Sequence, residues 1–262
     1  MENIVIGTAG HVDHGKSTLI KALTGIETDT TEEERERGMS INIGFAYFDL
    51  PNNQRVGIVD VPGHEKFIKN MMAGLAGLNL ILLVIDVTEG IMPQTTEHID
   101  ILQLLGIKDY IIVLSKIGIA EEDLVELVED DIIEQFKKTH LKDAPIVKID
   151  SIDGTGLDEL KVKISEMSGS VEQKNTLLPS RIHIDRAFSM KGFGTVITGT
   201  LIEGRINVGD ELIVYPAGVR AKVRGIQVHN SKASSAFAGQ RNGWVESLFN
   251  GKMRLLGYYS HE

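Results

Sequence analysis

The apolar run Ile4-Val5-Ile6 leads into Gly10-His11-Val12-Asp13-His14-Gly15-Lys16-Ser17, and this junction constrains the fold more than any other stretch of the chain. The pattern G-x-x-x-x-G-K-[ST] joins a buried strand to a helix. Its glycines let the backbone turn so that several N–H groups converge on one anion. The lysine adds a point charge on the terminal phosphates, and the hydroxyl takes a place on Mg²⁺. Alone, such a run can arise by chance in a glycine-bearing turn. Here a second element accompanies it. Ile58-Val59-Asp60-Val61-Pro62-Gly63-His64 ends another apolar strand on a carboxylate and a Pro-Gly hinge. Asp60 there suits a magnesium shell, and the Gly63 N–H suits a γ-phosphate.

Short apolar runs recur near Ile4–Ile6, Ile41–Phe48, Val56–Val61, Leu80–Ile85, Tyr110–Leu114 and Ile146–Ile149. Stretches of helical period lie near Lys16–Leu23, Glu65–Ala73, Gln94–Leu105, Leu124–Phe136 and Leu157–Met167. This alternation predicts an α/β domain over residues 1–170, a doubly wound, mainly parallel sheet with helices on both faces. Residues 168–179 are polar and unpatterned, as a linker would be. From 179 to 262 the period changes to two, with Gly and Asn turns between runs, which predicts a small β-barrel. The charged stretch Thr31–Arg37 reads as a solvated loop or helix end, and its place before Gly38-Met39-Ser40 equally suits a switch segment that orders on a γ-phosphate.

Charge divides unevenly between the two parts. Residues 181–262 carry 11 Lys+Arg against 6 Asp+Glu, leaving 16 against 31 in residues 1–180, within a total of 27 against 37. A basic second part suits contact with a nucleic acid, and equally an ordinary basic surface on a small β domain. The chain has no cysteine, which excludes disulfides and thiolate metal sites. Met1 runs straight into the first strand, and no apolar run of about 18 residues occurs, so neither a signal peptide nor a membrane span is expected. The cytoplasm is the expected location.

The phosphate loop, Arg37-Gly38-Met39-Ser40-Ile41 and Asp60-Val61-Pro62-Gly63-His64-Glu65 together resemble the translational GTPases. Gly38 to Ala46, Ile184-Asp185-Arg186-Ala187-Phe188 and Lys191 to Val196 are most similar to the selenocysteine-specific elongation factors, and less so to general elongation or initiation factors. The resemblance runs from residue 1 to about 241. It implies GTP/GDP and Mg²⁺ as ligands, with phosphate contacts from Asp13, His14, Gly15, Lys16, Ser17, Thr18 and Gly63. Ser17, Ser40 and Asp60 serve the metal, and Ser40 stands where the family normally has threonine. His64 is the candidate for orienting the attacking water, against the alternative of an exposed loop histidine. Ser115, Lys116 and Ser151 fall on the base side. Asp185, Arg186 and Arg241 are implied to line an aminoacyl-tRNA pocket, where arginines suit an anionic selenol.

Three departures bear on function. The base-reading motif of the family ends in an aspartate that accepts from guanine N1–H and N2–H₂, whereas this chain reads Ser115-Lys116-Ile117-Gly118. Losing that acceptor is expected to weaken and relax guanine recognition, and Gly118→Asp is expected to tighten it. Asp150-Ser151 replaces a Ser-Ala-like pair at the same pocket. After Arg241 the chain continues Asn242-Gly243-Trp244-Val245-Glu246-Ser247 where the family has an apolar closing strand, so an incomplete barrel is expected. Two readings follow. One is a monomeric, GTP-hydrolysing factor that delivers selenocysteinyl-tRNA to the ribosome, without the extension that reads an mRNA hairpin. The other is a truncated or decayed copy with impaired guanine recognition, acting at most as an RNA- or partner-binding module.

Overall fold

The computed structural model describes residues 4–29, 31–37, 39–52, 54–64, 78–168, 178–190, 194–216, 218–228, 231–238 and 241–247, with Arg35, Asp185, Arg186, Met190 and 241–247 described by their backbone alone. The chain divides into two compact units, with the boundary between Glu172 and Gln173.

In the first unit, six strands form one sheet: β1 (Ile4–Ala9), β2 (Gly44–Asp49), β3 (Arg55–Asp60), β4 (Leu80–Asp86), β5 (Asp109–Ser115) and β6 (Ile146–Lys148). Their order is β2-β3-β1-β4-β5-β6. Only the β2–β3 pair is antiparallel, and the others are parallel. The described helices are α1 (Lys16–Thr24), α2 (Glu32–Arg37), α3 (Pro93–Leu104), α4 (Glu122–Phe136) and α5 (Leu157–Ser168). The helix expected near Glu65–Ala73 lies outside the described residues.

Continuous apolar strands are what a sheet covered on both faces requires. Alternate residues feed two separate cores. Ile81, Leu83, Ile85, Ile112 and Leu114 pack with Ile99 and Leu102 of α3 and with Val125, Ile132 and Phe136 of α4. Leu80, Leu82, Val84, Ile111 and Val113 pack on the other side with Leu19, Ile20 and Leu23 of α1 and with Leu160 and Ile164 of α5. The sheet reverses winding direction at β1 and β4, and the carboxyl ends of these strands frame the crevice where ligands of open α/β sheets bind.

One expected strand begins later than the pattern suggests. Ile41 and Asn42 lie outside β2 because their N–H groups donate to the Glu34 carboxylate rather than to a ladder partner.

The second unit is antiparallel, with β7 (Arg181–Met190), β8 (Gly194–Glu203), β9 (Arg205–Asn207), β10 (Glu211–Val214), β11 (Val219–Val228), β12 (Ser231–Ala233), β13 (Ser235–Phe237) and β14 (Arg241–Ser247). The main path runs β10-β11-β14-β8-β7, β12 pairs with β11, and β13 pairs with β9. Ile197, Leu201, Ile206, Val223, Ile226 and Ala236 form its core. Among the described residues the path is open between β10 and β7, which makes this a partial barrel. The segment after Arg241, where the family's apolar closing strand was expected to be lacking, forms an interior strand hydrogen-bonded to both β8 and β11. Backbone pairing on two sides compensates for the lack of an apolar pattern there.

Candidate functional site

The phosphate loop hangs from the carboxyl end of β1. Gly15 adopts a left-handed conformation (φ 89°) just before α1, and no side chain caps that helix. Its first-turn N–H groups therefore point at the loop as an anion site. Lys16 is almost fully buried, and its ammonium donates to Gly10 O (3.1 Å) and His11 O (2.5 Å). Burial pushes its pKa down to about 8, although Asp60, Asp13 and Asp29 pull the other way. Gly63 closes over this cradle. A Cβ there would collide with Lys16 Nζ and lie 2.9 Å from Val12 N, so only glycine fits. Asp13 and Thr18 are exposed at the rim, and His64 is half-buried beyond the hinge.

His14 contributes to the loop through its backbone. Its ring is buried between Val84 O (3.3 Å) and the Glu89 carboxylate (3.1 Å), and burial lowers its pKa. Beneath the loop, His98 of α3 accepts from Gly10 N–H through Nδ1 at 3.1 Å. That bond requires a neutral ring. Burial, reinforced by the charges of Lys16 and His11, pushes the His98 pKa down to about 4.

The expected metal residues converge. Ser17 and Ser40 hydroxyl oxygens lie 2.8 Å apart, and Ser40 also donates to Asp29 Oδ1 at 2.7 Å. Asp60 is fully buried and accepts from Thr28 Oγ1 (2.6 Å) and Thr8 Oγ1 (3.0 Å). Burial raises its pKa against these hydroxyls and Lys16. Hard oxygens at this spacing match adjacent corners of an octahedron with metal–oxygen distances of about 2.0–2.1 Å. The donor set thus fits Mg²⁺ held jointly with phosphate oxygens.

What holds Ser40 there was not anticipated. Glu34 of α2 is buried, and its two oxygens accept from Thr31 N and Oγ1, Ile41 N, Asn42 N and Asn42 Nδ2. Burial alone pushes Glu34 up, but these donors more than offset it and hold the carboxyl at about 2. Thr31 Oγ1 accepts from Glu34 N in return, a reciprocal capping box. The Thr31-x-x-Glu34 spacing is the readable signal of this cap within the charged stretch that also suits a switch segment.

On the base side, Ser115 Oγ at the end of β5 donates to His14 O (2.8 Å) and Ile85 O (3.1 Å), tying this loop to the phosphate loop. Lys116 adopts a left-handed conformation (φ 61°), and its ammonium lies 2.6 Å from the Asp86 carboxylate at the end of β4. Burial pushes Asp86 up, yet Lys116 and the Thr88 N–H and hydroxyl hold it below the usual carboxylate range. Gly118 is exposed, and its N–H donates to Asp150 Oδ2 at 3.0 Å. The position is not simply stripped of its acid, because the neighbouring loop brings one to it. Ser151 follows, half-buried.

In the second unit, β7 is bulged between Ile184 and Arg186, so Asp185 has no partner in the ladder with β8. Arg186 pairs with Thr198, and Arg241 of β14 pairs with Thr200. The two arginines thus occupy register positions on either side of β8, two residues apart.

The sequence profile of the elongation factor Tu GTP binding domain matches residues 1–178. The selenocysteine-specific elongation factor of Desulfomicrobium baculatum is 49% identical over 238 residues, which is 91% of this chain and 38% of that protein. A crystal structure of a bacterial selenocysteine-specific elongation factor superposes with a TM-score of 0.89 at 45% identity, covering 94% of this chain and 42% of that one. Translation elongation factor SelB from Methanococcus maripaludis, in complex with the GTP analogue GppNHp, gives a TM-score of 0.83 at 36% identity, covering 93% and 51%. The chain spans less than half the length of the first two. A profile match over most of the chain, with the phosphate loop, the Ser17–Ser40 pair and Asp60 assembled at one sheet end, places it in the elongation factor Tu GTP-binding family of translational GTPases.

Proposed function

We propose that this chain is the nucleotide switch and adjoining β domain of a factor that carries selenocysteinyl-tRNA to the ribosome in the cytoplasm. It binds and hydrolyses GTP, acts as a monomer and has no membrane partner. The observation that carries the reading is the Ser17–Ser40 pair. It joins the phosphate-loop helix to a segment clipped by Glu34, so a contact at the terminal phosphate bears directly on the fold of residues 31–42. That is how an order–disorder switch is built.

Within this reading, the backbone of residues 13–18 binds the phosphates and Lys16 neutralises the developing charge. Ser17, Ser40 and Asp60 hold Mg²⁺, which when bound neutralises charge on the β- and γ-oxygens. His64 orients the attacking water. Positioning and electrostatics supply most of what phosphoryl transfer needs, so a slow intrinsic rate suits a switch. Asp185, Arg186 and Arg241 receive the aminoacyl end, and the guanidinium groups favour an ionised selenol over a neutral serine hydroxyl. The Asp185 bulge and the register of the two arginines on β8 support this assignment, since bulges re-aim side chains at functional positions.

The test is tRNA binding in two nucleotide states. The chain loaded with a non-hydrolysable GTP analogue should bind selenocysteinyl-tRNA more tightly than the GDP-loaded chain, and more tightly than it binds seryl-tRNA. Equal binding in both states contradicts the switch.

A further inference from the structure

We infer that Asp150 is the guanine-specifying carboxylate of this chain, delivered from the loop after β6 to the position that Gly118 leaves open. The inference rests on the guanine-nucleotide reading above. Gly118 and Asp150 are 32 residues apart in sequence, yet Gly118 N–H donates to Asp150 Oδ2 at 3.0 Å. A Cβ at position 118 would lie 2.6 Å from that same oxygen, so the carboxylate occupies the space through which a side chain at 118 would leave the backbone. The two unusual residues therefore explain each other. A side chain at 118 would have to displace the Asp150 carboxylate from where it is held, and glycine at 118 admits it without that shift.

The carboxylate is fixed rather than loose. Asp150 is 6% exposed, its Oδ1 accepts from Ile152 N–H at 2.8 Å, and its backbone pairs with Thr155 O and Gly154 N. Each carboxylate oxygen offers about two acceptor directions and uses one here, which leaves one on each for a ligand. Two adjacent N–H donors on one edge, as on guanine N1 and N2, match that demand. Adenine offers no such pair on its corresponding edge. The site also lies where it must. Ser115, three residues before Gly118, is bonded to the phosphate loop through His14 O, so base and phosphate pockets share one frame. A purely local role for Asp150, closing an Asx turn on Ile152, accounts for Oδ1 but not for Oδ2 or for the glycine.

The test compares GDP with xanthosine diphosphate, which carries a carbonyl where guanine has its 2-amino group, by equilibrium binding to the whole chain with Mg²⁺. Wild type is expected to prefer GDP. Asp150→Asn replaces one acceptor by a donor that suits the carbonyl, so the GDP-to-XDP affinity ratio should fall by about 100-fold or more. A turn-closing residue would move both affinities together. Gly118→Asp alone, which the sequence pattern by itself expects to tighten GDP, should instead weaken it, since it crowds a second carboxylate against the first, whereas Gly118→Asp with Asp150→Ser should return GDP preference. An unchanged GDP-to-XDP ratio in Asp150→Asn overturns the inference while leaving the GTPase reading intact. A wild-type chain with no preference for GDP over XDP or ADP overturns both.

Discussion

The hydroxyls of Ser17 and Ser40 lie 2.8 Å apart, one on the first turn of the phosphate-loop helix and the other 23 residues later on a segment clipped by Glu34. Ser40→Ala removes one metal-facing oxygen and leaves the phosphate loop untouched. We expect it to raise the Mg²⁺ needed for GTP binding by about tenfold to 100-fold, as loss of site-orienting groups generally does, with little effect on GDP. Ser40→Thr, the residue usual in the family, should be silent. Magnesium titrations with fluorescent nucleotides check this, and equal losses for GTP and GDP would place Ser40 outside the triphosphate contacts.

Lys16 links nucleotide binding to protons. In the free chain its pKa of about 8 means the proton leaves as pH rises past that value, while a bound polyphosphate holds the proton on. Binding at pH 8.5 should therefore take up roughly three quarters of a proton, and at pH 7 almost none. Calorimetry in two buffers of different ionisation enthalpy measures this directly. Absence of uptake at pH 8.5 would mean that Lys16 is charged before the ligand arrives.

His98 sets an acid limit. Its folded pKa of about 4 is depressed below the 6.5 of an exposed ring, so the unfolded chain gains a proton first as pH falls. Stability from this group is complete above pH 6.5 and is lost between 6.5 and 4, at a cost of about 3 kcal/mol. The Gly10 N–H also loses its acceptor once the ring is protonated. His98→Asn keeps an acceptor at the same reach and cannot titrate. Urea unfolding at pH 6.5 and 4 should show a smaller acid loss in the variant than in wild type, and identical losses would reject the assignment.

His64→Ala should lower GTP hydrolysis by about 100-fold while leaving nucleotide affinity within a factor of about three, because a water-orienting group acts mainly in the transition state. Single-turnover hydrolysis and equilibrium binding on the same preparation separate the two. A parallel fall in affinity would make His64 a structural support for the Gly63 hinge.

The legible parts of this molecule were those fixed by local pattern. Strand-end glycines, a lysine followed by serine and an aspartate before Pro-Gly announce their roles by spacing, and Ser17, Ser40 and Asp60 meet in the structure. Contacts between distant segments were not legible. Nothing near Asp150 states that its carboxylate reaches Gly118, and reading the two positions separately made each look like damage. His98 is likewise one polar residue within an apolar-periodic helix until β1 brings Gly10 against it. Glu34 lies between the extremes, since its capping box was readable but its hold on Ile41 and Asn42 was not. The strand over Arg241–Ser247 was missed for a different reason. Its apolar pattern is weak, and what places it is backbone pairing to β8 and β11.

The most direct test of the central claim is nucleotide selectivity of the unmodified chain. Equilibrium binding of GDP, GTP and ADP, each with and without Mg²⁺, should show guanine nucleotides bound at least about 100-fold more tightly than ADP, with GTP affinity depending strongly on the metal. Comparable affinity for GDP and ADP, or GTP binding indifferent to Mg²⁺, would contradict a guanine-nucleotide switch.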